Sequence, residues 1–330
     1  MSEADGPKAS GEDFRVSFQP VALAHNFPCE GERDEASERA RNMRRGNHRL
    51  WGIPFELAPE WAEANVLRLA EGEEAAVKVG ATASHLCFLH YWEATYGQGQ
   101  PEAGCDLVGE YVLQYADGET AAVPIRVMFE VGAGNHPWGK HIYAGVGAEK
   151  IRSLDFMNPE SRKEWGWGRL QVDVEAGNLG EPWIYALANP RPDAEVASVL
   201  LRGKHSVRLC VAGLTLYDGP GHPLRHNPRR YYKLGLPERA EVDTMDVDLG
   251  VLVRDAGPTS PRDDEWVGAV EAGLGVPADA PLDEGARLLE ISAADGATLT
   301  VRSKKLGSED THHLSMGEAL HRGASEDSGA

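Results

Sequence analysis

Residues 108–127 read VGEYVLQYADGETAAVPIRV. Val112 and Tyr115 lead into Ala116-Asp117-Gly118-Glu119, and beyond it Val123, Ile125 and Val127 alternate with polar or small residues. Alternation with period two is the pattern of a strand with one face buried. An Asp-Gly pair between two such runs marks a hairpin, because a type I′ turn needs positive φ at both central positions. Pro124 cannot donate to a ladder, so the second arm is expected to be an edge strand or to carry a bulge.

The same signal recurs on both sides. Upstream, residues 84–92 (SHLCFLHYW) are apolar at nearly every position, as in a strand buried on both faces. Residues 66–69 and 75–79 read as two strands around the acidic turn Glu71-Gly72-Glu73. Residues 51–55 (WGIPF) are a short apolar run, and 14–18 (FRVSF) alternate. Downstream, a Gly-rich loop over 131–147 precedes strands at 168–174, 183–187, 196–201 and 207–216, with Asn189-Pro190-Arg191-Pro192-Asp193 as a turn. Short strands at this spacing, separated by turn residues, predict an antiparallel β-sandwich and not βαβ units.

The domain organisation expected from this pass is a disordered N-terminus over 1–13, a sandwich over 14–234, a smaller β-rich extension over 235–303 and a flexible tail over 304–330. Residues 30–49 carry almost no apolar stripe and read as a solvated helix or mobile loop. In the extension Val247, Leu249, Val251 and Val253 alternate cleanly, a short helix is expected over 265–273, and 288–291 and 298–301 flank another Asp-Gly turn, Asp295-Gly296.

Composition narrows the function classes. The chain has 330 residues, 42% hydrophobic and 26% charged, enough apolar material for a sizeable core. Its 52 acidic and 33 basic residues give a net charge of −19, a field that repels nucleic acid and anionic membranes. No apolar run approaches the ~20 residues of a membrane span, and the polar N-terminus lacks the apolar core of a secretory signal. Cys29, Cys87, Cys105 and Cys210 are scattered without CxxC spacing, against a zinc ribbon or a disulfide scaffold. A reduced, cytoplasmic chain without cofactor is the expectation.

Several stretches together resemble the galactose-binding-like β-sandwich (jelly-roll) modules that accompany many carbohydrate-active hydrolases. They are Trp51-Gly52-Ile53-Pro54-Phe55-Glu56-Leu57, Leu86-Cys87-Phe88-Leu89-His90, and Tyr111-Val112-Leu113-Gln114-Tyr115-Ala116-Asp117-Gly118 with Val123-Pro124-Ile125. Residues 183–192 and the strand at 197–201 complete the set. The resemblance covers about residues 14–217. It implies a jelly roll of about eight strands with carbohydrate held by loops at one end, a non-catalytic module beside which a catalytic domain commonly stands.

Sugar rings stack their apolar faces on aromatic side chains, while carboxylates and amides hold their hydroxyls. Loop aromatics with polar neighbours are therefore the candidate ligand-binding residues: Trp92 and Tyr96 where a strand runs into a Gly-rich loop, His136 and Trp138 in the longest loop, and Trp167 at a strand entrance. Against this stands the plainer possibility that each tryptophan is a core or lid residue of the sandwich. For metal, His85 with Cys87 and His136 with His141 supply two ligands each, where zinc needs three or four; no metal is assigned. No GxSxG, HExxH, P-loop or GxGxxG motif occurs, so no catalytic residue is assigned. Two basic islands, Arg39/Arg41/Arg44/Arg45/Arg49 and Arg225/Arg229/Arg230/Lys233 with Tyr231 and Tyr232, read first as solvated faces pairing with the excess carboxylates.

Three readings of function stay open: a non-catalytic carbohydrate-binding or assembly module using the loop aromatics, a carbohydrate-processing hydrolase, with or without a metal, with its site in the 130–147 loop, and a structural or oligomerising protein. The expected partner is carbohydrate, with neither nucleic acid nor membrane.

Overall fold

A computed structural model describes residues 14–28, 42–93, 105–134, 142–148, 182–235, 241–255, 259–261, 282–284, 286–305 and 308–326. They belong to two compact units, one of Val16–Lys150 with Gln171–Leu224, the other of Met1–Arg15, Ile151–Leu170 and Arg225–Ala330. The first unit holds β1 (Ser17–Val21), β2 (Phe27–Pro28), β3 (Asn47–Leu50), β4 (Ile53–Glu56), β5 (Ala64–Leu69), β6 (Glu74–Ala81) and β7 (His85–Glu93). It continues with β8 (Leu107–Tyr115), β9 (Thr120–Arg126), β10 (Gly145–Gly147), β11 (Trp183–Ala188), β12 (Val196–Gly203) and β13 (Arg208–Asp218).

These strands form the expected antiparallel β-sandwich. A seven-stranded sheet runs β10-β11-β7-β13-β5-β2, with β1 also on β13, and a four-stranded sheet runs β6-β12-β8-β9. The chain passes repeatedly from one sheet to the other. Thus β5 and β6 do not pair with each other around Glu71-Gly72: β5 pairs with β13 in one sheet and β6 with β12 in the other. The alternate residues Leu86, Phe88, Leu209, Val211, Leu214 and Leu216 of the larger sheet meet Tyr111, Leu113, Ile125, Val199 and Leu201 of the smaller in one buried core.

Strand β7 is buried on both faces, as its sequence requires, and the second cover is local. The β3–β4 hairpin turns at Trp51 and Gly52, both at positive φ (54° and 83°). It lays Phe55 and Leu57 over the outer face of β13 and β7, where a Cβ on Gly213 would lie 3.0 Å from both side chains and 3.6 Å from Leu89. The Thr215 hydroxyl on that face donates to the Pro54 carbonyl.

The 108–127 hairpin is β8–β9, with Pro124 on the edge strand as its missing N–H demands. Its turn is not type I′. The Gly118 N–H donates to the Tyr115 carbonyl (3.0 Å), and among residues 116–119 only Gly118 has positive φ (89°). That is a type I turn closed by a left-handed glycine, the three-residue alternative open to the same Asp-Gly pair.

The second unit holds β14 (Arg230–Gly235), β15 (Glu241–Val247), β16 (Gly250–Asp255), β17 (Thr259–Pro261), β18 (Leu282–Glu284), β19 (Ala286–Ala293), β20 (Thr298–Lys305), β21 (Ser308–Ser315) and the helix α1 (Met316–Arg322). Its sheets are β14-β19-β16, β15-β20-β21 and the pair β17-β18. Expectations change here in part. The alternation from Val247 to Val253 is two strands, broken at a turn where Leu249 is buried at positive φ (43°), so the chain leaves one sheet for the other. Asp295-Gly296 is the turn read from the sequence, and it joins strands of different sheets. Residues 304–330 include a strand and a helix instead of a tail alone: β21 pairs along its length with β20, and Ser315 caps α1 by accepting the Glu318 N–H (3.2 Å). Arg230–Gly235, placed with the sandwich by its sequence position, pairs with β19 of this unit. The helix expected over 265–273 lies outside the described residues, as do residues 1–13 and the strand at 168–174. Among the described residues no helix is long and apolar enough to cross a membrane.

Candidate functional site

Strand pairing puts the C-terminal end of β7 beside the start of β11, and the segment that follows β9 joins them through a Trp92–Ala133 bridge and the Glu130 carbonyl on His90, so that a cluster is built there. Beyond β9 the chain doubles back over residues 126–131. The Arg126 carbonyl accepts from the N–H groups of Phe129, Glu130 and Val131 (3.2, 3.1 and 3.3 Å), and Met128 is held at φ 64° with its own N–H on the Val131 carbonyl. A left-handed non-glycine residue is strained and persists only where its surroundings fix it. Glu130 does the fixing: its buried carboxylate accepts from the Arg126 backbone N–H (2.9 Å), Nε (3.1 Å) and Nη2 (2.5 Å). The fork-like pair is charge-assisted and bidentate.

The neighbouring segment locks onto this turn. Tyr143 and Ala144 donate backbone N–H groups to the carbonyls of Met128 and Phe129 (both 2.9 Å), and β10 pairs with β11. The Phe129 and Tyr143 rings consequently stand 5.3 Å apart, and the Arg126 guanidinium carbon lies 5.1 Å from the Phe129 ring centre. Tyr143 is 77% exposed, one of three large apolar side chains left in water among the described residues.

Beneath this surface the cluster reaches the core. The Glu130 carbonyl meets His90 Nε2 at 2.9 Å, and the Tyr111 hydroxyl meets Nδ1 at 2.7 Å. A carbonyl only accepts, so Nε2 carries the proton and bare Nδ1 accepts from Tyr111. The His90 ring stacks on Tyr185 (5.8 Å, 5°). Burial drives His90 down to about 4, and burial followed by the Glu130 charge pushes Tyr185 up to about 12. His90 is therefore neutral at physiological pH, fully enclosed, with both nitrogens engaged. Such a group braces a surface and does not transfer protons to a ligand.

Of the sequence-predicted residues, Trp92 belongs to this end. It is half-buried against the core, its N–H donating to the Gly132 carbonyl and its carbonyl accepting from Gly134 (both 2.9 Å). Its indole Nε1 is buried without a partner. Gly132 in turn lies on Trp183, where any Cβ would fall 2.2 Å from the indole nitrogen, and that nitrogen donates to the Ala133 carbonyl (3.0 Å). Tyr96, His136, Trp138 and Trp167 lie outside the described residues, as does His141. The described residues that flank them, Glu93 and Cys105, Gly134 and Ile142, Ala148 and Pro182, sit at this same end of the sandwich.

The remaining candidates go elsewhere. His85 faces His222 (ring centres 4.8 Å apart) and Tyr217, while burial raises the Cys87 thiol far above its ordinary range. Among the described residues no three side chains of metal-ligating type come together. Asp117 is bound by Arg191 (2.6 and 3.2 Å) at the opposite end. Sequence reading does not single out Arg126, Phe129, Glu130 or Tyr143. One signal was present, since His90 has the same parity as the inward Leu86 and Phe88, and a polar residue on a core face needs buried partners. No protein-family model matches the chain, and no curated protein matches it.

Proposed function

We propose that the sandwich is a non-catalytic carbohydrate-binding module of the galactose-binding-like kind, taking its ligand on the Tyr143–Phe129–Arg126 surface. The observation that carries this reading is the exposed Tyr143 ring, held rigidly by backbone pairing beside Phe129 and a guanidinium. A fixed aromatic offers stacking area to the apolar face of a sugar at little entropic cost. Arg126, half-exposed and oriented by Glu130, has donors for ring hydroxyls. Trp92 lines the same end, and the segments bearing Tyr96, His136, Trp138 and Trp167 depart from it.

Calorimetric titration against neutral and acidic oligosaccharides tests the proposal. One sugar class should bind, and Tyr143→Ala should weaken it about three- to ten-fold, the ~0.5–1.5 kcal/mol of an aromatic contact. The melting temperature should stay nearly unchanged, because surface substitutions cost only about 0.5 kcal/mol. Equal affinity in wild type and Tyr143→Ala would remove this surface as the site. Loss of self-association in the variant, without sugar binding, would make the surface an assembly interface instead.

A further inference from the structure

A second surface is presented by the loop between β4 and β5. Trp61 is 85% exposed, whereas Trp183 is buried and Trp51 and Trp92 are half-buried. Scattered exposed apolar residues are ordinary, but this indole stands on a braced support. The Ala62 N–H closes a turn onto the Pro59 carbonyl (2.9 Å). Arg45 reaches across with one guanidinium nitrogen, Nη1, to the carbonyls of both Glu60 and Ala62 (3.0 Å each), the two residues bracketing the indole. Glu60 and Glu63, on either side in sequence, are both exposed.

We infer that Trp61 anchors a docking surface for a basic, Lys- or Arg-bearing segment of a partner protein. The face of an indole carries negative quadrupole potential and attracts cations. Two exposed carboxylates flank it in sequence and outnumber the one guanidinium, that of Arg45, recorded on this turn, while the net charge of −19 steers cationic partners toward the chain. A neutral sugar gains nothing from this field. The brace fixes the backbone that carries the indole, so the turn itself loses little freedom on binding. Trp is also the residue type most enriched among the anchors that dominate protein interfaces. This surface is independent of the Tyr143 site and does not rest on it.

The probe is a nine-residue oligo-arginine peptide, with an oligo-glutamate peptide as control, titrated at low and physiological salt into the full chain and its variants. Trp61→Ala should weaken oligo-arginine two- to five-fold, the range of about one exposed cation–π contact. The double variant Glu60→Gln/Glu63→Gln should weaken it by a similar factor and flatten its salt dependence. Arg45→Ala should raise the dissociation rate with circular dichroism unchanged. Undiminished binding to Trp61→Ala would overturn the inference, since the net field alone would then explain the attraction. It would be overturned equally if Trp61→Ala abolished self-association or sugar binding while leaving the peptide untouched, because the occupant would then be a second copy or a glycan.

Discussion

Phe55→Ala is expected to destabilise the chain by about 3–5 kcal/mol, measured as a shift in the urea midpoint at constant slope. Phe55 is 1% exposed and lies on the outer face of the larger sheet, over Gly213 and beside Leu57 and Leu89. Without it the outer faces of β7 and β13 lose their cover, and the neighbouring backbone leaves no collapse that would refill the space. A cost under about 1 kcal/mol would mean that the hairpin is an ornament and that the sheet tolerates water on that face. The substitution therefore distinguishes a three-layer packing, hairpin on sheet on sheet, from a plain two-sheet sandwich.

Acid is expected to remove about 3 kcal/mol of stability through His90 alone as pH falls from 6.5 to 4. The unfolded chain takes up this proton near pH 6.5, while the folded chain resists it to about 4, because burial disfavours imidazolium. Between those values the unfolded state binds more protons, so stability rises with pH. The contribution is complete above pH 6.5 and lost progressively toward 4. His25 is lowered by burial too and acts in the same direction. His90→Gln keeps a donor for the Glu130 carbonyl and an acceptor for the Tyr111 hydroxyl without the ionisation. Its unfolding free energy, followed from pH 7 to 4, should fall less steeply than wild type. Parallel curves would show that His90 titrates normally and that the network is not closed to solvent.

The sandwich was legible in the sequence because its strongest signals are local. Period-two alternation placed β8 and β9, a proline without an N–H marked the edge, and the unbroken apolar run of β7 announced burial on both faces. The sequence was silent wherever pairing partners are distant. Two Asp-Gly pairs look alike, yet Asp117-Gly118 joins strands of one sheet and Asp295-Gly296 crosses between two. The run SEDTHHLS at 308–315 has no apolar face, so only its pairing with β20 makes it a strand. The start of α1 carries a signal that the reading of 304–330 as a tail passed over, since Ser315 and Glu318 have the spacing of a capping box. The candidate site was the least legible part. Tyr143 follows Phe129 by fourteen residues and meets it only because the 142–148 segment pairs with the 126–131 turn, a contact that no spacing rule encodes.

The most direct test of the binding surface is tyrosine acetylation mapped by mass spectrometry, with and without a saturating sugar identified by titration. Tyr143, 77% exposed, should react readily in the free chain, while the buried Tyr91, Tyr111 and Tyr217 stay unmodified as internal controls. Bound sugar should slow Tyr143 acetylation several-fold and leave the rest of the pattern unchanged. If Tyr143 reacts at the same rate while the sugar is demonstrably bound, the ligand sits elsewhere and the Tyr143–Phe129–Arg126 surface is not its site.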